Sequence, residues 1–133
     1  NVVFLPMQPK DVYPQILHSS DVSLATLVKE VKTPVVPSKI LSIMSAGIPV
    51  IATMNLNGDA PDLIKRVDCG YVFDAGDYNH LAEAILLFYK NESLRQKLGQ
   101  NGRKYIESHL SVKAAADKYE TLFEEVINLY KRV

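Results

Sequence analysis

The sequence predicts an α/β domain: a parallel sheet flanked by helices, followed by a helical C-terminal segment. Three observations carry this. Between residues 2 and 73, short runs rich in Val, Ile and Phe alternate with segments of helical period. From Asp77 onward only helical patterns remain. Hydrophobic residues make up 47% of the 133 positions, enough for a packed core.

Four apolar runs are the expected strands: VVFL (2–5), DVSLATL (21–27), PVIATM (49–54) and CGYVF (69–73). Each is bounded by Pro, Gly, Asp or Asn, and such runs are typical of strands buried on both faces. Helices are expected between them. DVYPQILHSS (11–20) is short. SKILSIMSA (38–46) has Ser38 as its N-cap, Gly47 as its stop and Pro49 barring continuation. DAPDLIKRV (59–67) takes Asp59 as cap and carries Pro61 in its first turn. The alternation implies right-handed βαβ units.

The next helix is capped by Asp77 and turns Leu81, Ala84, Ile85 and Phe88 inward. Another follows from Asn91, with Leu94, Leu98, Tyr105 and Ile106 as its apolar positions and Gly99 and Gly102 as weak points or a break. The last begins at Ser111 and carries a stripe of Tyr119, Leu122, Phe123, Val126, Ile127 and Tyr130. The expected division is a sheet domain over 1–112 and a helix over 113–133 that packs on the same or a missing domain. The opening NVVFLP, without Met and inside an expected strand, reads as a piece of a longer chain.

Composition excludes several functions. Fifteen basic and fifteen acidic residues cancel, and no basic stripe is interleaved with aromatics, so a nucleic-acid surface is not expected. The single cysteine, Cys69, lies in an apolar run and reads as a small core residue. No apolar run approaches the roughly 20 residues of a membrane-spanning helix. His18, His80 and His109 lie far apart without ligand-spaced neighbours, so no metal site is expected. Neither G-x-x-x-x-G-K-[ST] nor G-x-G-x-x-G occurs. Asp59 and Asp62, like Asp74 and Asp77, read as cap, dipole and turn residues rather than as a carboxylate pair. Asn91-Glu92-Ser93 matches a glycosylation acceptor triplet, a pattern too short to carry an expectation.

One placement is electrostatically unusual. Lys39 stands in the first turn of the helix at 38–46, where the helix dipole disfavours a cation, and no Asp or Glu accompanies it. The free amides of such a turn favour an anion, and a bound phosphate would turn Lys39 into its counter-charge. The preceding connection, 28–37, is long for a strand-to-helix link. Connections at that sheet edge are where open α/β sheets bind ligands.

The segments NVVFLPMQPKDVYPQILHSSDVSLATL, VPSKILSIMSAGIPVIAT, NGDAPDLIKRVDCGYVFDAGDYNHLAEAI and LRQKLGQNGRKYIESHLS run in family order. Together they resemble the C-terminal, Rossmann-like, nucleotide-sugar-binding domain of GT-B glycosyltransferases of family 4, the glycosyl transferases group 1. The P-S-K-x7-G-x-P-V-I-A pattern is similar to the bacterial polysaccharide branch of that family. The resemblance covers residues 1 to about 112. It implies a retaining, metal-independent cytoplasmic enzyme, possible at the inner membrane face as a peripheral protein. Such an enzyme moves a sugar from a nucleotide-sugar, most often a UDP-sugar, to a glycan or lipid-linked acceptor held with the help of an N-terminal domain.

Carried over by position, Pro37, Ser38 and Lys39 would hold the donor diphosphate. Ser42 would contact the ribose where the family usually has glutamate, Glu30 is a second ribose candidate, and Met7 and Gln8 would lie near the nucleobase. No catalytic base is assigned, and the chain alone is not expected to turn over. The resemblance also implies two preceding βα units, so the run at 2–5 is expected as a displaced edge strand, or one paired unusually or with another copy. The departure at Ser42 leaves open a nucleotide-binding module without transferase activity; a third reading is an isomerase of related architecture resembling UDP-sugar 2-epimerases, against which the three scattered histidines argue. The aromatic stripe of the last helix, if uncovered, favours self-association.

Overall fold

Residues 2–32 and 34–131 are described by a computed structural model. Helix α1 (Tyr13–His18) precedes β1 (Ser23–Thr26), α2 (Ser38–Ser45), β2 (Val50–Met54), α3 (Asp59–Val67) and β3 (Gly70–Asp74). Helices α4 (Tyr78–Lys90), α5 (Glu92–Tyr105) and α6 (Val112–Tyr130) follow, with a π-helical turn at Ile106–Leu110 between the last two.

The strands form one parallel sheet in the order β1-β2-β3, with Ala25 beside Ala52 and Ala52 beside Val72. All five residues of the central strand β2 are buried, which is why its sequence, VIATM, shows no polar alternation. Val50, Ala52 and Met54 pack in one core with Ile40, Ile43 and Met44 of α2 and Leu63 and Ile64 of α3. Ile51 packs on the opposite face with Ala84 and Phe88 of α4 and Leu98 of α5. Cys69 is fully buried, as its apolar setting predicts.

The expected strand at 2–5 does not form. Residues 2–9 carry no regular structure, and Phe4 is 93% exposed. A strand needs a neighbour to satisfy its backbone, and among the described residues this run has none. Ile85, expected to face inward, is exposed, because α4 rests on the sheet through Ala84 and Phe88 instead.

Two predicted caps also shift by one residue. Pro37, not Ser38, is the N-cap of α2. Its fixed φ of −56° with ψ of 133° turns the chain one residue early, and its carbonyl accepts the Ile40 amide at 2.9 Å. Gly58, not Asp59, caps α3, leaving Asp59 and Asp62 in the first turn, where they complement the dipole. Asp77 and Ser111 cap as expected, accepting the amides of His80 at 3.2 Å and Ala114 at 3.1 Å. Asn91 proves to be the cap of α5, accepting the Leu94 amide at 3.1 Å.

Gly99 and Gly102 do not break α5, which runs unbroken through both. A Cβ on Gly99 would stand 2.0 Å from the carbonyl oxygen of Gly47, and one on Gly102 would stand 3.3 Å from carbons of Met44 and Cys69. Gly99 lets α5 approach the end of α2 more closely than any side chain permits, and Gly102 faces side chains that would have to give only slightly.

Candidate functional site

Parallel strands joined by helices bring three connections to one edge of the sheet. Residues 27–37 lead from β1 to α2, 55–58 from β2 to α3, and 75–77 from β3 to α4. Three helix N-termini therefore open at the carboxyl edge. Two already hold carboxylates: Asp59 and Asp62 in the first turn of α3, and Asp77 at the cap of α4. The N-terminus of α2 has no acidic residue in its first turn and no side-chain cap. Its positive dipole end is thus uncompensated by the helix itself, and exposed Lys39 adds a further positive charge.

Local bonding shapes this end. The Leu27 amide donates to the Thr53 carbonyl at 2.8 Å, prolonging the pairing of β1 with β2. The chain then turns, with the Val31 amide donating to Val28 at 3.1 Å. Glu30 is exposed on that turn. Pro34 lies against Gly58, whose added Cβ would stand 3.7 Å from the Pro34 Cα, so the connections before α2 and α3 are neighbours.

Pro37, Ser38 and Lys39 form the opening of α2, and Ser42 follows one turn later. The Ser42 hydroxyl donates to the Ser38 carbonyl at 3.1 Å, so it is turned toward its own helix. Met7 and Gln8 sit on the irregular N-terminal segment, where Met7 is 99% exposed and the Gln8 side-chain amide donates to Pro6 at 2.8 Å. The structure thus joins the α2 residues and Glu30 on one connection, and leaves Met7 and Gln8 on a separate segment.

A cleft of about 520 Å³ at the same edge escaped the sequence reading. Thr26 and Thr53, register neighbours on β1 and β2, line it with Lys29, Gly76 and Tyr78. Gly76 has φ of +88° and open space where a Cβ would be. The signal available in the sequence was a threonine near the end of two adjacent strands, and it becomes informative only once their register is known.

Beside this cleft, His80 Nδ1 lies 2.6 Å from Asp77 Oδ2, and the imidazole stacks on Phe73 at 5.9 Å between ring centroids. The hydrogen bond holds the Asp77 carboxyl below its ordinary value and the His80 imidazole above its own. The pair fastens the start of α4. Burial pushes the Cys69 thiol up to about 11, which leaves it protonated and unreactive. Among the described residues no group of three or more His, Cys, Asp or Glu is placed to hold a metal ion. Among the described residues no helix is long and apolar enough to cross a membrane.

The sequence pattern of the family described as glycosyl transferases group 1 matches residues 1–105. The chain belongs to that family. Its members are glycosyltransferases, enzymes that transfer sugars. It is 29% identical over 126 residues to the N-acetyl-alpha-D-glucosaminyl L-malate synthase of Bacillus anthracis, covering 95% of this chain and 31% of that protein. It is 34% identical over 76 residues to the capsular polysaccharide biosynthesis glycosyltransferase CapM of Staphylococcus aureus, covering 57% of this chain and 20% of that one. The chain therefore spans a third or less of these relatives.

Among solved structures, the C-terminal domain of the glycosyl transferase group 1 protein LpcC from Francisella tularensis aligns with a TM-score of 0.66 at 21% identity, covering 82% of this chain and 53% of that one. Sucrose-phosphate synthase from Thermosynechococcus elongatus aligns with a TM-score of 0.66 at 23% identity, covering 88% and 28%. These likenesses show the fold: the group 1 chain has the architecture of a GT-B C-terminal domain.

Proposed function

We propose that this chain is the donor-binding part of a retaining glycosyltransferase that takes a sugar from a nucleotide-sugar, a UDP-sugar by preference, and passes it to a glycan or lipid-linked acceptor. The observation that carries the reading is the opening of α2: uncapped by any side chain, free of carboxylates in its first turn, and supplied with Lys39. Departure of a nucleoside diphosphate builds negative charge on the leaving oxygens. Fixed amide dipoles and a nearby ammonium stabilise that charge as it grows, without having to reorganise. Pro37 presets the backbone, Ser38 and Lys39 present amides to the diphosphate, and Lys39 supplies its counter-charge. Glu30 and Ser42 serve the ribose, and Met7 and Gln8 the nucleobase. The Ser42 hydroxyl gives up its bond to Ser38 to do so. The acceptor is held with the help of a further domain, and the enzyme works in the cytoplasm or at the inner membrane face.

Amide chemical shifts of the chain, titrated with UDP, test this reading. The amides of Ser38, Lys39 and Ile40 are expected to move most. Lys39→Ala is expected to weaken binding about twofold to fivefold at low salt, the worth of one surface charge at a helix end. High salt should narrow that difference. Shifts confined to other surfaces, or equal affinity for variant and wild type at both salts, would remove the α2 opening from the site.

A second reading, a nucleotide-binding module without transfer, draws on the serine at position 42 where a carboxylate would grip both ribose hydroxyls. UDP binding without sugar transfer by a protein that also carries the acceptor domain would favour it.

A further inference from the structure

A groove of about 680 Å³ lies at the amino edge of the sheet, where the end of α3 meets α5 and the π-helical turn. Arg66 lines it from α3, and Lys104, Tyr105, Ser108 and His109 line it from the other side, with no carboxylate among them. Its side chains are held by one another. The Arg66 guanidinium stands 6.0 Å from the Tyr105 ring centroid, and its Nη2 donates to the Tyr105 hydroxyl at 3.2 Å. The Tyr105 and His109 rings stack at 4.6 Å with 12° between their planes. His109 Nδ1 lies 3.2 Å from the Tyr105 carbonyl, which can only accept, so Nδ1 carries a proton and Nε2 is left for a ligand.

The charge here is uncompensated. Among the described residues Arg66, Lys104 and His109 form no ion pair. Carboxylates nearby in the chain are engaged: Asp68 lies 3.0 Å from Lys97, and Glu107 lies 2.8 Å from Arg103. Lys118, which donates to the His109 carbonyl at 3.2 Å, adds another ammonium beside that residue. The carboxyl end of α3 opposes these cations with about half a charge, too little to neutralise two permanent ones.

We propose that this groove binds a phosphoryl group, as an anion site separate from the opening of α2. Arg66 keeps four of its five N–H donors after the bond to Tyr105, and the planar fork can grip two phosphoryl oxygens side by side. Lys104 supplies a point charge, and the Ser108 hydroxyl a neutral donor. The two anion sites cannot share one ligand atom. Helix α2 has eight residues, about 12 Å of length, and α5 crosses beyond its far end at Gly47. The groove also lies on the β3 side, away from the free edge of β1 where further strands can join the sheet. The inference does not depend on the sugar-transfer reading.

NMR signals of the purified chain, titrated with inorganic pyrophosphate at constant ionic strength, test the site. Those of Arg66, Lys104, Ser108 and His109 are expected to shift and saturate at about 0.1–1 mM, the affinity of a few charge-assisted bonds at a surface. Arg66→Ala should weaken binding about tenfold and Arg66→Lys should restore only part, since the fork is lost. Lys104→Ala, at an exposed position, should weaken it about threefold, with circular dichroism confirming the fold. Lys39→Ala should leave the groove signals unchanged, which keeps failure here distinct from failure at α2. Phosphatidylcholine vesicles carrying phosphatidic acid identify the source: co-sedimentation that Arg66→Ala abolishes assigns a lipid phosphate, and pyrophosphate binding without co-sedimentation assigns a soluble one. Absence of saturable shifts, or shifts that sodium chloride reproduces, overturns the proposal. So do shifts indifferent to both Arg66→Ala and Lys104→Ala. Shifts that vanish in a protein that also carries the acceptor domain overturn it as well, because the groove would then be filled from within.

Discussion

Replacing Gly99 with alanine isolates the contact that seats α5 against the end of α2. Helix propensity alone favours the change by about 1 kcal/mol, since glycine is a poor residue inside a helix. The packing opposes it. The new Cβ would lie 2.0 Å from the Gly47 carbonyl oxygen and 2.7 Å from its carbon, distances no pair of atoms tolerates. Both obstacles are backbone, and Gly47 is itself held at φ of +74°, so relief requires moving α5 away from α2. Overpacking of this kind costs about 1–3 kcal/mol, and displacement of a helix lies at the upper end or beyond. The net expectation is a loss of about 2 kcal/mol, or about 4–8 °C in Tm for a chain of this size.

Gly102→Ala supplies the control. Its Cβ would meet only side-chain carbons of Met44 and Cys69 at 3.3 Å, and Met44 can yield. There the propensity gain offsets the crowding, leaving stability within about 1 kcal/mol of wild type. Urea unfolding of both variants measures the difference. A Gly99→Ala protein as stable as wild type, or a Gly102→Ala protein destabilised as much as Gly99→Ala, would refute the reasoning. Because α5 also positions the C-terminal end of α2, Gly99→Ala should weaken the UDP binding proposed for the α2 opening as well.

Two further predictions follow from titrating groups. The His80 imidazole should titrate above its ordinary 6.5 in an NMR titration, and Asp77→Asn should lower it. The pair's small contribution to stability is complete between two limits. It is lost as pH falls through the lowered folded value of Asp77, and lost again as pH rises through the raised folded value of His80. Cys69 should resist a thiol reagent in the native chain at neutral pH and react promptly in denaturant, because its thiol is buried and titrates near 11. Rapid native modification would contradict the packing of Cys69 against α5 at Gly102.

The carboxyl edge was legible to the extent that its features are local. Pro37-Ser38-Lys39 announces a helix start with a misplaced cation, and the structure places that start at Ser38 with no side-chain cap. The cap assignments at Ser38 and Asp59 were off by one because a proline and an extended glycine end the preceding loop earlier than the polar residue does. The Thr26–Thr53 cleft was invisible, since nothing in either strand states which residues will stand side by side. Asn91 marked only the start of a helix in the sequence, and the Leu94 amide it accepts shows it to be the cap of α5.

By itself, the order of residues determined where the chain tends to bury itself and where its helices begin and stop. Those are short-range matters of apolar period, fixed φ and side chains reaching amides a few positions away. Only the tertiary structure decided which of those tendencies found a partner. VVFL and VIATM are alike as strings, yet one lies in solvent and the other is walled in on every side. Gly99 looks like a flaw in a helix until Gly47 is brought against it from more than fifty residues away. A strand or a close packing contact is stable only through what meets it, and that is settled by the whole chain at once.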